Sequence, residues 1–415
     1  MNKQRVLLAF SGGLDTTYCA IYLREELGLE VHAALVDTGG FSESETEKVA
    51  AKAKALGITS YKTLHETEAY YNDMLRFLLF GNVLKNDTYP LSVSAERVHQ
   101  ATAIAKYANE LGVDYIAHGS TGAGNDQVRF DLAFQLLAPN TKILTPIRDQ
   151  QLSRQAEIEY LKKHGFALEW EKAKYSINQG LWGTSVGGEE TLTSDGVLPE
   201  SAWPTPLTAT EPMNLTLQFT AGECTRVAGY ELSPVAAIKQ LQKLAAPYGI
   251  GRDVHVGDTI IGTKGRVGFE AAAPLILIKA HQLLEKHTLS KWQLYWKKQL
   301  SDWYGMFVHE SQFLDPVMRN IEAFLLNTQQ TVTGEVDIQL HPKRFEVTGI
   351  RSPFDLMNKK FGAYGETTGG WSGDDVKGFT KILANPMRIH QAVQASAPAA
   401  STGLLASLGN KTSKA

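Results

Sequence analysis

Val6-Leu7-Leu8-Ala9-Phe10-Ser11-Gly12-Gly13-Leu14-Asp15-Thr16-Thr17 decides how this chain is read. An apolar run leads straight into a glycine pair, and apolar residues from Tyr18 to Leu27 then recur at helical spacing. A buried strand, a tight turn and a helix start follow one another directly. That order leaves free backbone N–H groups at the positive end of a helix dipole, a ready anion site. With no Cβ on Gly12 and Gly13, a phosphate can approach the backbone closely. Ser11 and Thr16 add hydroxyl donors, and Asp15 either caps the helix or helps hold a metal beside the phosphates. A bare glycine turn is the competing reading. Neither G-x-x-x-x-G-K-[ST] nor G-x-G-x-x-G follows this strand.

Outward from this loop, strands are expected at 5–10, 31–37, 58–63, 113–118 and 142–145. Helices are expected at 15–27, 44–56, 66–80 and 95–111, the second with Ser42 and Ser44 as N-cap candidates. The alternation predicts an α/β domain with a parallel sheet covered on both faces. Ligands of such sheets sit at the carboxyl ends of the strands. Three strands end there in polar or glycine-rich loops: the Ser11 loop, Asp37-Thr38-Gly39-Gly40, and His118-Gly119-Ser120-Thr121-Gly122. Their convergence on one edge marks that edge as a site.

Asn125, Asp126 and Arg129 crowd donors and acceptors directly after the third loop, and Asp126 and Arg129 share a helix face. Two readings are open. One is a capped helix with a solvated ion pair. The other is a pocket for a zwitterion, with Arg129 taking a carboxylate and Asp126 an ammonium. Beyond residue 150, Ser153 should cap a helix from Arg154 to His164. A Gly/Ser/Thr/Pro-rich stretch from Tyr175 to Pro212 reads as a long loop, ordered by Trp182 and Trp203. From 213 the pattern is α+β: alternation at 215–219, a helix at 235–244 and a hairpin over 334–350. The tail after Gln394 reads as fraying.

The 415 residues suffice for two domains or three, and the net charge of −3 argues against electrostatically driven nucleic-acid binding. No apolar run is long enough to span a membrane, and the strand at the start leaves no room for a signal peptide. Cys19 and Cys224 are too far apart for a C-x-x-C site, which suits a cytoplasmic protein, and Cys19 falls at a core spacing. No metal-ligand motif is present: His65-Glu66 has Ala69 where a second histidine would be needed.

The form S-G-G-x-D-[ST] resembles the pyrophosphate loop of ATP pyrophosphatases, the adenine nucleotide α-hydrolase-like superfamily. Adding His118-Gly119-Ser120-Thr121-Gly122-Ala123-Gly124-Asn125-Asp126-Gln127-Val128-Arg129-Phe130-Asp131, the chain resembles the argininosuccinate synthases. Tyr89 to Ser94 with Arg97, Tyr175-Ser176-Ile177 leading to Leu181 to Ser185, and Gly262 to Arg266 with Glu270 match the same family in order. The resemblance implies a nucleotide-binding domain over 1–170, an α+β synthetase and multimerisation domain over 171–385, and a C-terminal helix end and tail over 386–415. It implies an ATP-dependent ligase of arginine biosynthesis that joins citrulline and aspartate through a citrullyl-adenylate. ATP would contact Ala9, Phe10, Ser11, Gly12, Gly13, Leu14, Asp15, Thr16, Thr17, Val36 and Gly119. Aspartate would contact Thr121, Asn125 and Asp126; citrulline would contact Tyr89, Ser94, Asn125, Arg129, Ser176 and Ser185. Asp15, Asp126 and Arg129 are the candidate catalytic residues, Mg²⁺ would accompany ATP, and a homotetramer is expected, with 377–393 helping assembly. His118 reads as structural.

Two positions depart from the family. Gly257 stands where the family has a glutamate, with Asp258 one residue out of phase, and Phe269 where it has a tyrosine. Either Asp258 or a water replaces the lost groups, or the space at Gly257 admits a citrulline with an acylated, neutral amino group. Competing functions are a serine hydrolase on Gly183-Thr184-Ser185-Val186-Gly187, another ATP pyrophosphatase, and a non-catalytic nucleotide-binding protein.

Overall fold

The computed structural model describes residues 3–166, 174–362, 364–366 and 369–396. The chain begins with β1 (Arg5–Ala9), α1 (Leu14–Glu25), β2 (Glu30–Asp37), α2 (Glu43–Ala55), β3 (Ser60–His65), α3 (Thr67–Tyr70) and α4 (Arg76–Phe80). It continues with α5 (Ser92–Leu111), β4 (Tyr115–Ala117), α6 (Asp126–Leu137), β5 (Lys142–Leu144), α7 (Pro146–Asp149) and α8 (Arg154–Lys163). The five strands pair in parallel in the order β3-β2-β1-β4-β5. The strand order therefore reverses at β1, the switch point where a crevice opens at the carboxyl ends. The apolar run of β1 serves both faces. Val6 and Leu8 pack with Tyr18, Ile21 and Leu161, whereas Leu7 packs with Ile104, Ile116 and Phe134.

The helix expected over 66–80 is broken by a π turn, Tyr71–Leu75, between α3 and α4. The wider turn lets the pairs Tyr70-Tyr71, Met74-Leu75 and Leu78-Leu79 all face the core. α5 starts at Ser92, before the expected position, because Leu91 adopts a left-handed φ of 62° and turns the chain into the helix. Ser42 forms a capping box with Glu45, and Ser153 accepts from the Ala156 N–H.

The next elements are β6 (Ser176–Asn178), β7 (Thr184–Gly187), β8 (Met213–Thr220), β9 (Glu223–Val227), β10 (Tyr230–Glu231), α9 (Pro234–Ala245), β11 (Arg252–Asp258) and β12 (Lys264–Glu270). After them come α10 (Ala272–Thr288), α11 (Lys291–His309), α12 (Pro316–Thr328), β13 (Gly334–His341) and β14 (Arg344–Arg351). Two antiparallel sheets result, β11-β12-β7-β6 and β10-β9-β8-β13-β14. Part of the stretch read as a long loop is thus sheet: β7 pairs with β12, and β6 with β7. Its small residues lack strand-like alternation, and backbone pairing supplies the order. Trp182 is buried in the core, as its presence suggested.

By compactness the chain divides into residues 1–356 and residues from 357 on. In the second unit, α13 (Gly373–Leu383) starts from a Ser372–Asp375 capping box and is followed by α14 (Asn385–Ser396). The boundary expected near 170, and the tail from 397, lie outside the described residues. Among the described residues no helix is long and apolar enough to cross a membrane.

Candidate active site

A cavity of about 970 Å³ opens at the carboxyl ends of β1, β2 and β4. The turn after β1 forms its floor. Gly12 has φ +75°, a conformation open to glycine, and the Lys52 ammonium donates to its carbonyl over 2.6 Å. α1 starts at Leu14 with Gly13 as N-cap and no side-chain cap, so the first N–H groups of the helix face the cavity without an intrahelical acceptor. Asp15 therefore does not cap this helix; it sits in the first turn and lines the cavity. Thr17 closes the turn by donating its hydroxyl to the Gly13 carbonyl at 2.7 Å. The loop after β4 lies tight against this one, since a Cβ at Gly119 would come within 3.3 Å of Asp15.

The loop after β2 is tied to α5. Thr38 donates to Glu96 at 2.6 Å, and burial pushes the Glu96 carboxyl above its usual range. Next to it, Arg97 joins Glu96 (3.0 Å), Gln100 (2.9 Å), Asn178 (3.1 Å) and Asp126 (3.4 Å). Asp126 also receives Arg129 at 2.9 Å. Desolvation would raise the Asp126 carboxyl, but Arg97 and Arg129 outweigh it and hold the group below its usual range.

Arg129 is buried, not a solvated partner, and its second amine donates to Ser94 Oγ (2.9 Å) and the His309 carbonyl (3.3 Å). His309 Nε2 is 2.9 Å from the Asp258 carbonyl, which can only accept, so Nε2 carries the hydrogen. Its Nδ1 then accepts from the Ser94 hydroxyl at 3.5 Å. Tyr89 donates and accepts against Ser92 Oγ and the Val93 N–H, both at 3.0 Å, and packs between His255 and Phe269.

Of the residues expected to meet ATP, all but Gly12 and Thr17 line the cavity. Thr121, Asn125, Asp126, Arg129 and Ser176 line it as well. Tyr89, Ser94 and Ser185 do not; all three are buried directly behind it. Ser94 connects to the cavity through Arg129, and Ser185 through Asn178 at 3.4 Å. Sequence reasoning did not mark Lys52, Gln100, Asn178, His255 or His309. His118 is buried, donates from Nε2 to Asp131 at 2.9 Å and accepts the Ser120 N–H on Nδ1, a structural role. Gly183 to Gly187 is no nucleophile elbow, because Ser185 lies inside strand β7.

The space expected at Gly257 is filled. Residues 255 and 257 share a face of β11, and a Cβ on Gly257 would lie 2.5 Å from His255 Nε2. There is no room for an acyl group where the imidazole stands. Burial pushes both His255 and His309 down to about 4, so both rings are neutral at neutral pH. The Asp258 carboxylate points the other way, to solvent, and pairs with Lys264 at 2.6 Å.

The parallel sheet carries the glycine turn at its switch point, and the Asp126–Arg129 pair lines the same cavity; the comparisons place this arrangement in a family of ATP-dependent ligases whose N-terminal domain is of the HUP type. The family model for the arginosuccinate synthase N-terminal HUP domain matches residues 5–167, and that for the arginosuccinate synthase C-terminal domain matches residues 175–390. The chain belongs to the argininosuccinate synthase family. It is 35% identical over 408 residues to an argininosuccinate synthase of Xylella fastidiosa, covering 95% of this chain and 99% of that one. It is 36% identical over 363 residues to the Methanocaldococcus jannaschii argininosuccinate synthase, covering 87% and 91%. It is 37% identical over 390 residues to that of Xanthomonas axonopodis pv. citri, covering 91% and 92%. These relatives and the filled space at Gly257 both disfavour an acylated substrate.

Proposed function

We propose that this chain condenses L-citrulline with L-aspartate to argininosuccinate, converting ATP to AMP and pyrophosphate, in arginine biosynthesis. The observation that carries this reading is the junction of two features in one cavity: the glycine turn with its free helix N–H groups, and the Asp126–Arg129 pair beside it. The ureido oxygen of citrulline attacks the α-phosphorus and pyrophosphate leaves. The aspartate amine then attacks the ureido carbon and AMP leaves. Neither step needs a strong protein base; both need aligned reactants and stabilised phosphate charge. The residues at hand suit that demand, being backbone N–H groups, hydroxyls and amides.

In this reading the triphosphate lies on Ser11 to Thr16, with the nucleoside toward Val36 and Gly119. Mg²⁺ arrives with ATP as part of the substrate, and Asp15 is the carboxylate placed to orient it. Among the described residues no group of three metal-ligating side chains would hold a resident ion. Aspartate binds against Thr121, Asn125 and Asp126. Citrulline enters past Ser176 and Asn125 with its carboxylate toward Arg129, while Tyr89, Ser94 and Ser185 back that recess. We further propose a cytoplasmic homotetramer. The exposed Trp292, Tyr295, Trp296 and Trp303 of α11, and Val376, Phe379, Ile382 and Leu383 of α13, support subunit contacts.

Pyrophosphate release from MgATP, measured with each amino acid omitted in turn, tests the reaction. Release that requires citrulline, with argininosuccinate formed only when aspartate is added, is the expected result. Release indifferent to citrulline would overturn it. Light scattering on the eluted protein checks the tetramer.

A further inference from the structure

A second cavity, of about 470 Å³, lies between α10, α11 and the turn after α4, and shares no lining residue with the first. Its volume is that of an ordinary small-molecule site. Leu275 and Ile278 of α10, Leu294 of α11 and Leu84 of the turn give it apolar walls. Its most buried lining side chains are charged: Lys297 is 2% exposed and Glu285 1%, and they pair over 2.9 Å. Glu285 is well satisfied, since it also accepts from Asn82 Nδ2 at 2.6 Å and Gln329 Nε2 at 3.1 Å. Lys297 is not. An ammonium has three N–H donors, and among the described residues Glu285 is its one acceptor, so two donors are left unfilled in a buried group that lines the cavity. Burial lowers the Lys297 ammonium, a cost that an acceptor beside it would offset.

The charge around this cavity is uneven. Lys298 spends its charge on Asp302 at 2.8 Å and Asp87 at 3.7 Å. Lys279 and Lys286, two turns apart on the same face of α10, line the cavity with no carboxylate in ion-pair reach among the described residues. We propose that this cavity is a second ligand site, built for a small organic oxyanion: an apolar body rests on Leu84, Leu275, Ile278 and Leu294, and a phosphate or carboxylate group takes the unfilled lysine donors. A cation would meet the uncompensated charge of Lys279 and Lys286, and a bare inorganic ion would leave the apolar walls wet. The aromatic face of α11 does not close the site. Leu294 and Lys297 lie on the opposite side of that helix from the exposed Trp292, Trp296 and Trp303, so subunit contacts through those rings leave the cavity open.

The test is calorimetric titration of the full-length protein with phenyl phosphate, in saturating MgATP so that the first cavity is occupied. Saturable binding of one molecule per chain is expected, with Kd on the order of 1 mM or tighter, ordinary for a ligand of about ten heavy atoms. Inorganic phosphate should bind at least about tenfold more weakly, because it leaves the apolar walls unused. Benzamide, with the ring but no charge, should show no saturation. K279Q/K286Q should weaken phenyl phosphate about fivefold or more. K239Q/K243Q, the same charge change at two exposed lysines of α9, should leave it within about twofold. All four lysines are exposed, so neither variant disturbs the core. No saturable binding with MgATP present would overturn the proposal. So would equal affinity for inorganic phosphate, or an equal loss in the two double variants.

Discussion

Arg129→Lys separates the positioning of citrulline from the integrity of the fold. The guanidinium makes three bonds in fork geometry: to Asp126 at 2.9 Å, Ser94 at 2.9 Å and the His309 carbonyl at 3.3 Å. A lysine keeps the charge but carries its three donors on one nitrogen and has a shorter reach, so the planar fork cannot be rebuilt. Losing one charge-assisted bond to the substrate carboxylate costs about 1.5–3 kcal/mol, or roughly 10- to 150-fold in citrulline kcat/KM. The groups left unpaired behind it lower stability by about 1–3 kcal/mol, seen as a drop in Tm. The assay varies citrulline at saturating ATP and aspartate, then varies ATP at saturating citrulline. The expected pattern is a large loss for citrulline with the ATP KM within about twofold of wild type. Unchanged citrulline kinetics in a folded variant, or an equal loss for citrulline and ATP, would refute the role given to Arg129.

Lys52→Met removes the ammonium that holds the Gly12 carbonyl, and should raise the ATP KM about 5- to 30-fold with little change for the amino acids, read by the same kinetics. Lys297→Met leaves Glu285, buried and 2.9 Å from that ammonium, without its cation, and should destabilise the protein by about 3–5 kcal/mol in denaturant melts. Adding Glu285→Gln should recover much of that loss. Gly257→Glu must displace the His255 ring, so it should cost about 1–3 kcal/mol and raise the citrulline KM; pairing it with His255→Ala should relieve the clash. Between about pH 4.5 and 8 the folded chain holds a proton on Glu157 that the unfolded chain has released. Stability therefore falls as pH rises through that window, and Glu157→Gln should flatten the fall in urea melts across pH.

The parts of this molecule legible in the sequence are those encoded locally. The apolar run of β1, the glycine turn and the Ser42 and Ser153 caps depend on neighbours a few residues away, and they stand where periodicity and capping chemistry place them. Convergence of three loops also followed, because parallel alternation forces all carboxyl ends to one edge. Of the two roles open to Asp15, capping is ruled out because the cap position falls two residues earlier, at Gly13. What stayed hidden depends on distant partners. Lys52 reaches the Gly12 carbonyl across 40 residues of sequence, and Arg129 meets the His309 carbonyl across 180. The departure at Gly257 was visible, but its occupant was not. Only the shared face of β11 reveals that His255 fills the space, and no spacing rule distinguishes such a histidine from any other core ring. Strands β6 and β7 were missed for a related reason: β7 is ordered by pairing with β12, and β6 by pairing with β7, not by their own composition.

The most direct test of the central claim is the fate of the ureido oxygen. Citrulline carrying ¹⁸O at the ureido position is turned over with MgATP and aspartate, and AMP and argininosuccinate are analysed by mass spectrometry. Attack of that oxygen on the α-phosphorus predicts that the label passes wholly into AMP and that argininosuccinate carries none. Unlabelled AMP alongside product would contradict the adenylate route, and with it the alignment of citrulline against the glycine turn.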